Sequence, residues 1–366
     1  MQLKRILVLG IMGMGLSIGV QAGNDTKRGQ GGAGELLINP WCRTSGMANS
    51  GSGIVRGIES MGLNVAGLSG INKTEINFCS ALYLYPSDIR INALGFGTKA
   101  GGGAMGLTLT SYSLGTFYET TEELADGTGN TFSPQIFNFG AAYAKTFSSR
   151  ISGGLLLRGI SQSYNSVSAF GLAVDAGIQY QTGKRKEFKF GVSILNLGPK
   201  TGFDGDALAT RGTKQGTSYT QTVKLLSAAF ELPSMLNIGL GYDFYMENDD
   251  LKLTPCFNFR SNSFTADQYQ IGLQAGWKDM FILRGGYDYQ DGIFSKAEST
   301  TANLGPSFGA TVQIPYKRNQ SGDMAQTSST DLHEGKNKSK IFGFDYAYTL
   351  TRYFGGTHRF SLLLTL

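Results

Sequence analysis

From Thr74 onward, apolar side chains return at every second residue, and this period constrains the fold more than any other feature. Ile76, Phe78, Leu82 and Leu84 alternate with Glu75, Asn77, Cys79 and Tyr83. Leu236, Ile238, Leu240, Tyr242 and Phe244 alternate with Asn237, Gly239, Gly241, Asp243 and Tyr245. Phe342, Phe344, Tyr346, Tyr348 and Leu350 do the same, as do Phe360, Leu362, Leu364 and Leu366. A period of two belongs to strands, whose successive side chains point to opposite faces. Alternation over about ten residues, with a polar or tiny second face, is the pattern of a transmembrane β-barrel. A soluble sandwich also alternates but turns its apolar faces inward. Aromatics near the strand ends, as interfacial girdles require, favour the barrel. So does the last alternating segment, which runs to Leu366 and reads as a sheet with no domain after it. The expected fold is all-β: a transmembrane antiparallel barrel.

Candidate strands fall near 74–84, 89–97, 104–118, 133–146, 150–163, 167–181, 187–197, 222–230, 235–246, 250–262, 267–277, 280–290, 304–316, 341–352 and 357–366. That is an odd number, and bacterial single-chain barrels have even ones. The weakest, 222–230, lies in a polar stretch that stops at Leu232-Pro233. Without it fourteen remain and both termini fall in the periplasm. Short turns at 98–103, 147–149, 182–186, 247–249 and 278–279 then face the periplasm, and long loops at 119–132, 198–234 and 291–303 face outside. The polar stretch 317–340 breaks that rule, being long on the periplasmic side.

Composition supports this reading. Charged residues are 16% of the chain, Gly numbers 52 of 366, and Tyr and Phe number 17 and 23 against two Trp. The aromatics exclude disorder, and glycines without a three-residue period exclude collagen. Past the N-terminus no apolar run approaches the ~18 residues of a transmembrane helix. The first 22 residues read as a signal peptide: Lys4 and Arg5, an apolar stretch from Ile6 to Val20, and a small-x-small site at Val20-Gln21-Ala22. Cleavage after Ala22 leaves Gly23, so no lipoprotein cysteine follows. The formal charge of +5 loses two with this segment, which leaves no electrostatic case for nucleic acid. Residues 23–72 form a lead-in and a hatch-like segment, too apolar for a free tail yet neither helical nor alternating. Residues 73–366 form the barrel.

Little points to catalysis. Cys42, Cys79 and Cys256 are far apart and make no CxxC site or disulfide framework. His333 and His358 are the two histidines, one in a polar run and one at a strand edge. Gly29-x-Gly31-x-x-Gly34 spells a dinucleotide fingerprint, but no strand precedes it. Glu119, Glu122, Glu123 and Asp126 could offer oxygens to Ca²⁺, yet lack EF-hand spacing and read as a solvated loop. No enzyme, cofactor or metal is expected. Arg90, Lys189, Asp243, Arg284, Asp288 and Asp345 fall on the inward phase of their strands, where charges must find partners. They read as a polar network that fills the lumen.

Several motifs resemble a known family. Asn64-Val65-Ala66-Gly67-Leu68 is similar to the N-P-A-G-L element of FadL-type barrels and resembles still more closely the PorV/PorQ family of the Bacteroidota outer membrane. Asn196-Leu197-Gly198-Pro199-Lys200 is similar to that family's N-x-G-P-K corner. Leu232-Pro233 before LNIGLGYDFY, then FILRGGYDY and the final FDYAYTLTRYFGGTHRFSLLLTL, resemble its pattern too. The resemblance covers about residues 35–366. It departs at Val65, where the family has proline, and at the long 317–340. It implies a fourteen-stranded FadL-like barrel in the outer membrane, working with type IX secretion as a carrier of exported cargo proteins. The implied partners are an outer-membrane translocon or assembly complex, its cargo and the lipid bilayer. An accessory subunit of another assembly machine and a FadL-like transporter of hydrophobic small molecules are the alternatives.

Overall fold

The structure, a computed structural model, describes residues 29–213, 216, 219–246, 250–296, 299–318, 324–326 and 340–366. Fourteen strands form the barrel wall. They are β1 Thr74–Leu82, β2 Arg90–Ala100, β3 Gly103–Ser113, β4 Gln135–Thr146, β5 Ile151–Tyr164, β6 Val167–Thr182 and β7 Phe188–Leu197. The second half comprises β8 Met235–Tyr242, β9 Leu251–Asn262, β10 Gln268–Trp277, β11 Phe281–Gln290, β12 Asn303–Arg318, β13 Lys340–Thr351 and β14 Thr357–Thr365. Each strand pairs antiparallel with the next. The barrel closes where Ile76 of β1 faces Leu364 of β14 and Phe78 faces Leu362. A closed barrel leaves no unpaired edge for lipid to meet.

The dropped segment 222–230 stays out of the wall. Thr220–Lys224 instead pairs with Ala209–Thr213 in an exposed ribbon within the 198–234 loop. The candidate 104–118 stops at Ser113, because the chain turns at Gly115 (φ +85°), and Phe117–Tyr118 pairs separately with Thr131–Phe132. Thr74 and Leu366 share one end of the barrel, here the terminal end, with the short turns 101–102, 147–150, 183–187 and 278–280. The long loops 114–134, 198–234 and 291–302 lie at the far end. Of 317–340, Lys317 and Arg318 end β12 and pair with Ala325 and Met324, beside Tyr316 and Gln326. Lys340 opens β13, and the remainder lies outside the described residues, as do His333 and residues 1–22, the expected signal segment.

The outer face is apolar. Leu155, Leu157, Phe170, Leu172 and Leu283 are all more than half exposed, which in water would be a very large sticky surface and in a bilayer is the lipid contact. No helix among the described residues is long and apolar enough to cross a membrane; the strands do the crossing.

The inner face is occupied by residues 29–72. Short 3₁₀ turns at Gly34–Leu37, Ile58–Gly62 and Val65–Gly70 and a one-turn helix at Cys42–Ser45 wind through the lumen. Trp41, Ile58, Met61, Val65, Leu68 and Ile71 are buried against small inward residues of the wall, including Ala93, Ala104, Ala142, Ala144 and Ala347. Large side chains come from the segment and small ones from the wall. The glycine excess has the same cause. A Cβ on Gly191 would sit 2.6 Å from the Ser52 carbonyl oxygen, and one on Gly286 would sit 2.4 Å from the Met47 carbonyl carbon. Such close approach of two backbones needs residues without side chains.

Candidate functional site

The motif at 64–68 pins the lumenal segment to the wall. Asn64, Val65, Ala66, Gly67 and Leu68 are all buried. The Asn64 side-chain oxygen accepts from the Ala66 N–H at 3.2 Å and caps the Val65–Gly70 turn. Its amide nitrogen donates to the main-chain oxygens of Ser52 at 3.0 Å, Ile178 on β6 at 3.1 Å and Val192 on β7 at 3.4 Å. One side chain thus ties two parts of the segment to two neighbouring strands. Gly67 is required because a Cβ there would meet the Val55 carbonyl at 2.2 Å.

The second motif marks a bulge. The β6–β7 register shifts between Val174 and Ala176, and Asn196 takes φ +60°, a conformation that asparagine tolerates. Its N–H donates to Asp175 Oδ1 at 2.6 Å and its side-chain amide to the Pro233 carbonyl at 3.2 Å, which closes the base of the 198–234 loop. A Cβ on Gly198 would lie 2.2 Å from the Leu172 carbonyl, and Pro199 is exposed where the loop departs.

The charged residues sort into separate groups. Arg43 of the lumenal segment places Nε 3.0 Å from Asp345 Oδ1 on β13 and 3.9 Å from Glu59 Oε1. Asp345 also accepts from Thr311 at 2.5 Å and Ser361 at 3.0 Å, and Thr311 in turn accepts from Arg284. Glu59 accepts from the N–H groups of Arg43 and Thr44 at 3.0 and 3.2 Å, and burial pushes its carboxyl up against the pull of Arg43. Farther round the wall, Lys189 Nζ lies 2.5 Å from Asp243 Oδ2, whose other oxygen accepts from Thr254 at 2.8 Å. Asp288 accepts from Gln268 and Gln270 at 3.1 and 3.4 Å.

Arg90 departs from the expectation of an inward position. It is exposed on the outward phase of β2 with Leu94 and Phe96, while Ile91, Ala93, Gly95 and Gly97 face in. The lumen there is a packed core, so Ile91 takes the inner position beside Ala81, Tyr112, Ile136 and Ile38.

Sequence reading also missed four members of these groups. Arg43 and Glu59 lie in the stretch without periodicity. Arg158 and Asp175 form an inward pair at 2.5 Å, but Leu155-Leu156-Leu157 hides the phase of β5. The cysteines are buried and unbridged. His358 on β14 lies against Tyr85 and against Tyr346 and Tyr348 of β13, with Nδ1 2.9 Å from the Tyr346 hydroxyl. The acidic 119–126 loop is largely exposed, and Glu119 accepts from Asn130 at 3.1 Å.

Two cavities flank the filled core. One of about 460 Å³ opens toward the terminal end, and one of about 300 Å³ lies toward the far end. Charged and amide side chains dominate both linings, with Arg56, Lys189, Gln181 and Gln274 in the first and Arg260, Asn262, Gln268 and Asp288 in the second.

Residues 96–363 match the family described as type IX secretion system membrane protein PorP/SprF. The chain belongs to the PorP/SprF family. The PorV/PorQ resemblance is met at the coarser level of a type IX secretion membrane protein. No curated protein sequence matches. Among solved structures, the toluene transporter TodX of Pseudomonas putida aligns with a TM-score of 0.51 at 11% identity, over 89% of this chain and 97% of that one. The toluene transporter TbuX of Ralstonia pickettii aligns with a TM-score of 0.50 at 12% identity, over 89% and 97%. A FadL homologue of Pseudomonas aeruginosa aligns at 0.47 and 10% identity, over 88% and 96%. At such identities the likeness to TodX and TbuX is one of fold alone, a closed β-barrel. The family's description is of a membrane protein of type IX secretion, and a closed antiparallel barrel with an apolar outer face agrees with it.

Proposed function

We propose that this PorP/SprF chain is a non-catalytic carrier or adaptor in protein export, as the resemblance to PorV/PorQ implies. In this reading it is exported by a signal peptide cleaved after Ala22 and set in the outer membrane with periplasmic termini. There it joins a type IX secretion complex and engages cargo proteins. The observation that carries the reading is the filled lumen. Residues 29–72 act as a hatch that packs the barrel with apolar side chains, and the two larger cavities described beside it are lined mainly by charged and polar residues. A barrel so plugged offers its loops and rims to partners. A transporter of hydrophobic molecules, the activity named for TodX and TbuX, calls for apolar, ligand-sized room. An accessory subunit of an outer-membrane assembly uses the same surfaces.

Affinity purification of the tagged protein in mild detergent, followed by mass spectrometry, tests the reading. Secretion subunits and exported proteins should co-purify, and deleting the gene should remove specific proteins from the cell surface and medium. An unchanged surface proteome, together with lost uptake of a hydrophobic solute, would favour the transporter.

A further inference from the structure

Two of the three cysteines, far apart in sequence, meet where the lumenal segment touches the wall. Cys42 belongs to the one-turn helix Cys42–Ser45, and Cys79 is on the inward phase of β1 with Asn77 and Ala81. Each is 1% exposed, and both belong to the buried cluster of Trp41, Ile58 and Leu68. The Cys79 thiol donates to the Pro40 carbonyl at 3.0 Å, and its sulfur accepts from the Cys42 N–H. It therefore sits against the main chain on both sides of Trp41. The Cys42 thiol donates to the Arg359 carbonyl at 3.5 Å. Arg359 and Ser361 of β14 in turn stand opposite Ala81 and Cys79 of β1. Of the titratable side chains around Cys42, Cys79 acts on it most strongly, ahead of Glu59, Asp345 and Arg359.

A disulfide needs Cα atoms within about 7 Å and side chains that face each other. A sulfur bonded to the N–H of Cys42 brings Cys79 into that range, and its strand phase turns it toward the segment. Cys256 is the contrast. It lies on β9, where its sulfur meets Ser50 Oγ at 3.1 Å. A buried cysteine of that kind is a small apolar filler. Cys42 and Cys79 differ because one stands on the segment that fills the barrel and the other on the wall that holds it.

We propose that Cys42 and Cys79 form a disulfide that locks the lumenal segment to β1. Buried thiols offer no thiolate to an oxidant, so the bond forms before the segment packs into the lumen. One thiolate attacks the disulfide of a periplasmic thiol oxidoreductase and gives a mixed disulfide. The second thiolate then displaces the oxidoreductase, which leaves as a dithiol carrying the two electrons. The two protons that the cysteines lose equal those that the dithiol takes up. The loop so closed contains the turn at Ile58–Gly62 and the motif at 64–68, so the bridge holds at β1 the segment that Asn64 holds at β6 and β7. The inference rests on the export reading for its oxidant, because the bacterial periplasm is oxidising and the cytosol is not.

Thiol counting on the full-length protein tests it in two arms. In the first, membranes from cells are dissolved in SDS with N-ethylmaleimide and no reductant. In the second, the reduced, urea-unfolded chain is refolded into detergent with oxidised and reduced glutathione, and the folded, heat-modifiable fraction is treated alike. One adduct, at Cys256, is expected in each arm, against three after reduction, with the peptides of Cys42 and Cys79 linked in digests. Cys42→Ser should give two adducts and Cys256→Ser none. The folded Cys42→Ser protein should be cut by trypsin at Arg56 roughly tenfold or more faster than wild type. Three adducts in both arms, a bridge that includes Cys256, or an unchanged trypsin rate overturns the proposal. A bridge in the refolded arm alone upholds the pairing and counts against the export reading.

Discussion

Asp345 on β13 lies 3.0 Å from the guanidinium Nε of Arg43, a residue 302 positions earlier in the chain. This contact joins the wall to the segment that fills it, and it is buried on the aspartate side. Removing one partner of such a pair strands a charge. Asp345→Ala should cost on the order of 3–5 kcal/mol, read as a lower temperature for the folded-to-unfolded band shift on SDS gels. Arg43→Met in the same chain should recover part of that loss, since a double-mutant cycle isolates their coupling. Full additivity would mean that the contact contributes nothing.

Asn64 offers a second measurement. Asn64→Ala removes a cap and the bonds to Ser52, Ile178 and Val192. A loss of about 1–3 kcal/mol is expected, with faster proteolysis inside residues 29–72 and an intact barrel. Loss of the barrel itself would show that the segment is needed for the wall to form.

The inward glycines can be tested by contrast. Gly191→Val would press on Ser52, Gly53 and Asn64, whereas the nearest atom to a Cβ on Gly276 is 3.8 Å away. Gly191→Val should expel the lumenal segment and expose Arg43 and Arg56 to trypsin, while Gly276→Ala should behave as wild type. Equal protease resistance of the two would remove close backbone approach as the reason for the glycine content.

Leu157 is 66% exposed on the outer face, next to the buried Leu156. Leu157→Arg should lower the level of protein in membranes, at a cost of up to ~2–4 kcal/mol for charge at the bilayer midplane. Arg90→Leu, outside any ion pair among the described residues, should change stability by less than about 0.5 kcal/mol. A large effect at Arg90 would return it to the lumen.

Orientation is checked in whole cells. An impermeant thiol reagent should label Thr128→Cys in the long 114–134 loop and miss Ser148→Cys in the short turn at the other end. Labelling in the reverse pattern would place the termini outside.

Alternation determined the wall. A period of two is local, so each strand announces itself in about ten residues, and the fourteen retained segments find their places with small errors at the ends. Residues 64–68 and 196–199 were likewise legible as motifs, because a cap, a left-handed asparagine and a glycine under a carbonyl are demands of the local backbone. What the lumen contains was not legible. The segment that fills it has no period, since it lies against a closed wall on all sides instead of presenting one face to a core. Arg43 and Glu59 therefore gave no signal. Arg90 was misplaced because alternation gives two faces without saying which apolar residues an occupied lumen will take. Three consecutive leucines left both phases of β5 open. Only entry of the segment into the lumen brings Asp345 to Arg43, only the β7–β8 pairing across the long 198–234 loop brings Lys189 to Asp243, and only burial makes those meetings obligatory. Strand identity is set between neighbours in sequence, whereas charge pairing is set by which surfaces exclude water together.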